Sequence, residues 1–440
     1  MMFNCLFSLL IYSVYELDLI TSISFFINLI ISYFILFNNS PEKQVVKLSL
    51  IYLLGFSLFV GGRFISGLFG VGNIYCFDFG YFYCLDFMEI LKINFLIHFS
   101  LIFFVFGFLY NKNKPRVREA RGSINNKILS FVILISFFSG FCSFYFKTQA
   151  IALALSQGYM VLYEGQSQSY STPLSLVIDT IFVATLAVIY SLKDRIKSYY
   201  FLTLISVFII TQLLGVLTGA RSSFILGIII LIWVLLGDRE INIKKLLFSI
   251  PLVFLLFSAN YIASLSGARV ADSGITFFEK FIIDIFYNQG ITMMVFSLGV
   301  IDNNFPLLAY LKVLLPGIQV FFSFFENIYQ YELSFSQNLT YRLAPNVYYE
   351  NMGWGWSLLG DFYAFSFGIT ILFLIYNFFW GKVIYTVSLY SESSIYYRGL
   401  FFCFIVTLFS ISRSSVSYLI FLIIVYTLIY FFIKIKVRVN

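Results

Sequence analysis

The chain has 440 residues, of which 60% are hydrophobic and 11% are charged. A soluble globular protein carries about 25% charged residues, so this composition excludes a water-soluble fold and indicates an integral membrane protein. The formal net charge of +7 is spread over short polar segments and forms no single basic domain. The sequence therefore predicts no nucleic-acid partner and places the chain against membrane lipid.

Apolar stretches long enough to cross a bilayer recur along the whole chain. A helix rises about 1.5 Å per residue, so roughly 20 residues cross the hydrocarbon layer. These stretches lack the alternation of barrel strands, and only helices satisfy their own backbone hydrogen bonds in lipid. In chain order, the predicted spans are Phe3–Tyr15, Leu19–Phe37, Leu48–Gly62, Ile93–Tyr110, Ile128–Phe146, Pro173–Tyr190, Tyr200–Leu217, Phe224–Leu236, Leu246–Ile262, Leu358–Trp380, Leu400–Ile411 and Val416–Ile433. The sequence predicts an all-α polytopic protein of about twelve transmembrane helices, organised as one membrane domain over residues 1–440.

Lysine and arginine are concentrated in alternate connecting segments. The positive-inside rule assigns such segments to the cytoplasm, which predicts that both termini are cytoplasmic. The first span has neither a basic region before it nor a small-residue cleavage site after it, so we expect a membrane segment there and not a removed signal peptide. The basic residues on the predicted cytoplasmic side are Lys43, Lys47, Lys112, Lys114, Arg116, Arg118, Arg121, Lys127, Lys193, Arg195, Lys197, Arg239, Lys244, Lys245, Lys382, Arg398, Lys434, Lys436 and Arg438.

One long connecting segment, residues 263–357, joins spans nine and ten and is predicted to be a large periplasmic loop. Its stretch Phe305–Phe325 is apolar, but two prolines and a lysine argue against a regular span, so we expect an interfacial or re-entrant segment. A shorter outward loop contains Cys76 and Cys84. These two cysteines form either a disulfide, which an oxidising compartment permits, or two free thiols.

Two short turns on the predicted outer side share an Arg-Ser-Ser sequence at the start of a helix. They are Gly219–Phe224, with Arg221, and Ile411–Ser415, with Arg413. Free amides at a helix start favour an anion, and a guanidinium forms paired hydrogen bonds to phosphate oxygens. The pattern favours a pyrophosphate-binding role. The alternative is that each arginine only extends to the membrane interface.

Further charged residues near the outer side are candidates for the same site. Arg269 and Arg342 lie in the large loop, each as a ligand contact or a plain surface residue. Asp361 follows Gly353–Trp356 by about one turn, and the tryptophans are typical of interfacial anchors. Asp361 and Asp179 are ionisable groups inside predicted spans, so each either takes part in chemistry or pairs with an arginine.

Several kinds of chemistry find no support in the sequence. His98 is the single histidine and falls inside a predicted span, where it is best explained by helix packing. The sequence has no ligand cluster with metal spacing, no phosphate-binding glycine loop and no nucleophile elbow. We therefore predict neither a metal nor a cofactor, and an enzyme of this kind takes its energy from an activated substrate.

The chain resembles Wzy-type O-antigen polymerases, a bacterial family that extends surface polysaccharide on an undecaprenyl pyrophosphate carrier. The resemblance covers the helix count, the long outward loop, the turn Gly219–Phe224, and Asn351–Ser357 leading to Asp361–Tyr363 and Phe367-Gly368. Ser366 departs from the family pattern, which has asparagine at this place.

The resemblance implies that the growing chain is moved onto an incoming lipid-linked unit at the periplasmic face of the inner membrane. Arginines in outward loops hold the pyrophosphates, a role that falls on Arg221 and also on Arg269, Arg342 and Arg413. A chain-length regulator protein is an implied partner. Four outward carboxylates are candidates for the general base that the acceptor hydroxyl needs. They are Asp361, Asp272, Glu279 and Glu350.

Two other functions fit parts of this pattern. A flippase or another transporter also has twelve spans, but such proteins usually have short loops and place functional charges at the bilayer centre. A membrane acyltransferase needs a histidine near a membrane face, whereas His98 falls inside a span. The long outward loop and the outer arginines favour the polymerase.

Overall fold

A computed structural model describes ten stretches of the chain. They are residues 1–2, 4, 18–41, 47–110, 126–158, 173–218, 221–236, 277–318, 329–350 and 353–434. Two of the predicted spans, Phe3–Tyr15 and Leu246–Ile262, lie almost entirely outside these residues.

The described part of the chain is built from helices and one short hairpin. The α-helices are α1 (Asp18–Asn39), α2 (Leu48–Phe59), α3 (Gly62–Gly67), α4 (Phe87–Tyr110), α5 (Asn126–Gln157), α6 (Pro173–Ser191), α7 (Ser198–Leu214), α8 (Arg221–Leu236), α9 (Phe277–Ile282), α10 (Ile291–Ile301), α11 (Leu307–Leu314), α12 (Gln330–Leu333), α13 (Phe335–Leu343), α14 (Pro345–Tyr349), α15 (Leu358–Phe365), α16 (Thr370–Ser391), α17 (Ile395–Ile411) and α18 (Ser417–Lys434). Strands β1 (Cys76–Asp78) and β2 (Phe82–Cys84) pair antiparallel between α3 and α4. Short 3₁₀ turns follow α6 and α7, and a π-helical turn, Ile283–Tyr287, follows α9.

Seven helices in the described residues are long and apolar enough to cross a membrane: α1, α4, α5, α6, α7, α16 and α18. Three shorter apolar helices, α2, α8 and α17, coincide with three further predicted spans. The structure thus confirms an all-helical, multi-pass membrane architecture. The count of twelve spans and the orientation of the termini remain predictions.

Helix α17 lies at the centre of the bundle. It packs against α2, α6, α8, α16 and α18, and its side chains from Gly399 to Phe409 are all buried. A helix that is apolar all round belongs in the interior, where every face has a neighbour. The loop after α17 is therefore held between several helices.

Close backbone contact joins α4 to α16. A Cβ atom added to Gly107 would lie 1.8 Å from the Phe378 carbonyl oxygen, and one added to Gly381 would lie 2.0 Å from the Phe104 carbonyl oxygen. Helices in lipid have no hydrophobic driving force for association. They associate instead through the close packing that small residues allow. These two glycines fix the position of α16 and hence of the residues before it.

The predicted tenth span, Leu358–Trp380, requires a correction. The structure breaks it into α15 and α16, because Phe367 (φ 51°) and Gly368 (φ 78°) both adopt left-handed backbone conformations. Helix α16 then continues eleven residues past Trp380, to Ser391. Helix α15, at eight residues, is too short to cross a bilayer and lies beside the spanning helix α16.

The region predicted as a large loop contains a deeply buried helix. Helix α10 has nine buried residues out of eleven and packs against α2, α3, α4, α15 and β1. Within the stretch Phe305–Phe325, the described residues form only the eight-residue helix α11, which is followed by Pro316. The predicted loop is therefore folded onto the bundle over much of its described length.

The β-hairpin is crosslinked and held by a buried arginine. Cys76 and Cys84 form a disulfide, which decides between the two alternatives that the sequence left open. Arg63, only 1% exposed, donates hydrogen bonds through Nη1 to the carbonyl oxygens of Asn73, Ile74 and Cys76. The hairpin is thus fixed to α3 by several bonds from one guanidinium.

Replacing Cys76 and Cys84 by serine should lower the stability of the protein. The crosslinked residues are eight apart in sequence, and closing a loop of this size restricts the unfolded chain by about 2–3 kcal/mol. We expect a lower unfolding temperature of the detergent-solubilised double variant, measured against Cys142→Ser as the control. Equal unfolding temperatures, or reaction of both thiols with a maleimide before reduction, would contradict the crosslink.

Candidate functional site

A buried carboxylate joins two segments that are far apart in sequence. Asp361 in α15 has no exposed surface, and its Oδ1 accepts a hydrogen bond of 2.8 Å from Nε1 of Trp356. Its Oδ2 accepts a hydrogen bond of 2.6 Å from the backbone N–H of Val416, the residue before α18. Asp361 therefore caps the start of α18 from another helix and ties the two sequence motifs to each other.

The anion at the start of α18 is the carboxylate of Asp361 and not a ligand group. The Arg-Ser-Ser turn between α17 and α18 was expected to offer its free amides to a ligand phosphate, but Asp361 occupies the Val416 amide. A carboxylate is stabilised there by the helix dipole as well as by the hydrogen bond. The ligand-binding capacity of the turn then lies with the exposed side chain of Arg413.

The environment of Asp361 disfavours its charge. Burial raises the pKa of Asp361 to about 7, although hydrogen bonds from the Val416 amide, the Ser415 hydroxyl and the Trp356 indole act in the opposite direction. Among the residues that the structure describes, no cation is one of the groups that shift this pKa. The Asp361 carboxyl group therefore keeps its proton to a higher pH than an exposed aspartate does, inside a site whose geometry it fixes.

Arg413 contacts the segment that precedes α10. Its Nη1 donates a hydrogen bond to Oε1 of Gln289, and its Cζ lies 5.7 Å from the centre of the Phe59 ring. Gln289 follows the π-helical turn Ile283–Tyr287, a rare geometry that often occurs at functional sites. The turn places Arg413 and its amide partner at one end of the bundle.

Arg63 lies against the same segment from the other side. Its Cζ is 4.4 Å from the centre of the Tyr287 ring, and a Cβ atom on Gly290 would lie 2.4 Å from the Arg63 backbone nitrogen. Burial lowers the pKa of Arg63, and the nearby Tyr287 and Asp78 act against this change. Sequence analysis missed Arg63 because it directly follows the predicted third span and has no motif around it.

Arg342 is paired within the folded loop. Its Nη1 forms an ion pair with Oδ1 of Asp302, and its Nη2 donates a 3.3 Å hydrogen bond to the Asp302 carbonyl oxygen. The Arg342 guanidinium also lies 5.5 Å from the Phe305 ring centre. A phosphate would have to compete with Asp302 for this side chain.

The two tryptophans of Gly353–Trp356 are buried, and both donate hydrogen bonds to protein groups. Trp354 donates through Nε1 to the Phe79 carbonyl oxygen in the hairpin, at 3.0 Å, and Trp356 donates to Asp361. They are 7% and 6% exposed. They connect the hairpin to α15, so they are structural parts of this site and not anchors in the lipid.

We call the end of the bundle formed by residues 61–89, 283–303, 335–350, 353–366 and 411–417 the outer end. A protein-family model described as O-antigen polysaccharide polymerase Wzy matches residues 1–439, nearly the whole chain. The chain belongs to the Wzy family. No curated protein and no solved structure matches the chain significantly.

Several of the predicted residues of this Wzy protein meet at the outer end. Asp361 and Arg413 lie there around the same turn, and Arg342 lies in the folded loop beside it. Arg221 is the first residue of α8, as its motif predicted, but the structure does not describe its side chain. Arg269 and Asp272 lie outside the described residues.

The carboxylates predicted as candidates for general base in this Wzy protein have different environments. Glu279 and Glu350 are exposed, whereas Asp361 is fully buried with both oxygens bonded. Asp179, the other acid within a predicted span, accepts a hydrogen bond from Ser143 and interacts with the charge of Lys147. Asp179 lines a cavity of about 170 Å³ between α5, α6, α7, α8, α17 and α18.

Replacing Asp361 by asparagine should change how the stability depends on pH. The pKa of Asp361 is about 7 in the folded protein, and its ordinary value is 3.8. The protonated carboxyl group therefore stabilises the folded protein fully below about pH 4, and this stabilisation is lost as the pH rises through 7. We expect the unfolding temperature of wild-type protein to fall between about pH 4 and pH 7, and Asp361→Asn to remove most of that fall.

The matched control for this measurement is Asp302→Asn, which removes a carboxylate that is partly exposed and paired with Arg342. An Asp361→Asn protein with the same pH dependence as wild type would show that this carboxyl group does not titrate in the range.

Proposed function

We propose that the protein polymerises undecaprenyl-pyrophosphate-linked oligosaccharide repeat units into O-antigen at the periplasmic face of the bacterial inner membrane. The Wzy family acts on lipid-linked repeat units in membranes. The observation that carries the proposal is the contact of Asp361 with Trp356 and Val416. This contact joins the segment that resembles the family, which contains Trp356 and Asp361, to the Arg-Ser-Ser turn before Val416, where Arg413 is exposed.

The proposed reaction is a transfer of a glycan chain between two carriers. An acceptor hydroxyl attacks the anomeric carbon of the donor, the bond from that carbon to the pyrophosphate oxygen breaks, and a general base takes the hydroxyl proton. Negative charge builds on the departing pyrophosphate, so prepositioned arginines lower the barrier most at the transition state. We assign this role to Arg413 and Arg221, and also to Arg269. Arg342 takes part only when the pyrophosphate displaces Asp302 from its guanidinium.

The charges and the disulfide support the proposed periplasmic location of the outer end. The Cys76–Cys84 disulfide lies there, and structural disulfides persist in oxidising compartments such as the periplasm. Lys193 and Arg195 lie in the connection between α6 and α7, and Arg398 lies in the first turn of α17. Both places are at the end of the bundle opposite to the outer end. The distribution agrees with the positive-inside rule.

The experiment that tests the proposed function is a gel profile of the host lipopolysaccharide after deletion of the gene and after its restoration on a plasmid. We expect the ladder to disappear while a band with one repeat unit survives, because export and ligation still work. Loss of the single-repeat band as well would indicate a flippase, and an unchanged ladder would exclude both functions.

Replacing one arginine at the outer end by alanine should show whether that arginine contacts the ligand or only lies at the membrane interface. We expect Arg413→Ala and Arg221→Ala to reduce polymer about 100-fold or more, the size typical of losing one transition-state donor. Arg413→Lys should recover only part of the activity, because lysine cannot form the paired hydrogen bonds. The ladder is measured together with protein level and membrane insertion.

The matched control is Arg398→Ala, which removes an arginine that is paired with Asp194 away from the outer end. We expect a wild-type ladder from this control. Wild-type chain lengths from Arg413→Ala or Arg221→Ala would mean that the arginine only contacts the interface.

A further inference from the structure

Five tyrosines are clustered on the large folded loop. They are Tyr329, Tyr331, Tyr341, Tyr348 and Tyr349, which we call the tyrosine platform. Tyr329 and Tyr349 are 60% and 70% exposed, and the other three are partly exposed. The five rings are only partly removed from water. Burial of apolar surface therefore does not explain why so many tyrosines lie together on one small surface.

The rings of the platform have a regular arrangement. Tyr331 stacks on Tyr341 with ring centres 4.3 Å apart and on Tyr329 with centres 5.4 Å apart, and the planes differ by only 11° and 10°. Tyr348 stands nearly perpendicular to Tyr341 at 5.2 Å, and Tyr349 stands nearly perpendicular to Tyr348 at 5.7 Å. The platform is therefore a row of three parallel rings bordered by two rings in edge-on contact.

The charge around the platform argues against a phosphate ligand or an anionic lipid surface. Glu332 and Glu350 lie beside the tyrosines in sequence, and Arg342 is held by Asp302. Interfacial segments that bind anionic lipid carry several lysines or arginines. The described residues 329–350 carry no other lysine or arginine, so the chemistry fits an uncharged ligand with hydroxyl groups.

The platform borders the site around Asp361. The Trp354 backbone N–H donates a hydrogen bond of 3.3 Å to Oγ1 of Thr340, the residue before Tyr341. Val347, the residue before Tyr348, packs so closely on the hairpin that a Cβ atom on Gly80 would lie 2.3 Å from it. A ligand on the platform therefore lies next to the segment that leads to Trp356 and Asp361.

We propose that the tyrosine platform binds the sugar rings of the growing polysaccharide and holds it near the site between additions. This inference rests on the proposed function. A sugar ring presents C–H groups on its faces and hydroxyls at its edge, which match the faces and the hydroxyl group of tyrosine. Several weak contacts along one chain raise its effective concentration at the site, so longer products are favoured.

The test uses full-length protein purified in detergent and fluorescently labelled polysaccharide that mild acid releases from the host lipopolysaccharide. We expect Tyr329→Ala/Tyr349→Ala to raise the dissociation constant about tenfold, the size of losing about two aromatic contacts. Tyr329→Phe/Tyr349→Phe should keep most of the binding, because it keeps both ring faces. In cells, the alanine variant should still polymerise but with a shorter most frequent chain length.

The matched control is Tyr199→Ala, since Tyr199 is 52% exposed and stacks on Tyr200 with ring centres 4.1 Å apart, outside the outer end. We expect wild-type binding and chain length from it. Unchanged binding by the alanine double variant would overturn the proposal, and a shorter ladder with unchanged binding would indicate a docked partner protein.

Failure of this proposal can be told from failure of the proposed function. If deletion of the gene removes the ladder but the alanine double variant binds polysaccharide normally, only the platform proposal is wrong. If deletion leaves the ladder unchanged, the proposed function is wrong.

Discussion

The outer end of the bundle depends on one buried carboxylate, that of Asp361. Within the described part of the chain, no cation is one of the groups that shift its pKa. Removing a carboxylate from water costs several kcal/mol unless hydrogen bonds replace the solvent. Asp361 recovers part of this cost through Trp356, Val416 and the positive end of the α18 dipole, and burial still raises its pKa. Trp356 belongs to one chain segment and Val416 to another. The hydrogen bonds that stabilise the carboxylate therefore also align the two segments.

The rest of the bundle makes this alignment rigid. Helix α17 is surrounded by neighbours, so its C-terminal turn with Arg413 has a fixed position. Gly107 and Gly381 hold α16 close to α4, and this fixes the point from which α15 turns back. The arginine and the acid are therefore presented by a scaffold of closely packed helices.

The sequence predicted the helices of this protein better than the contacts between them. Long apolar runs identify spanning helices because lipid imposes both their length and their composition. The break at Phe367 was missed because left-handed backbone at a non-glycine residue depends on tertiary packing, here on the stacking with Tyr310. Helix α10 was missed because eleven apolar residues are too few for a span, and Arg63 and the Asp361–Val416 bond have no local signal at all.

The position of Val416 late in the chain has a consequence for biogenesis. Ribosomes deliver a protein from its N-terminus, so Asp361 is synthesised 55 residues before its amide partner. Until α18 enters the bilayer, that carboxylate lacks one of its hydrogen bonds and Arg413 has no helix behind its turn. Insertion of α18 therefore coincides with completion of the outer end, and a chain in which α18 is not yet inserted has an acid without its amide donor.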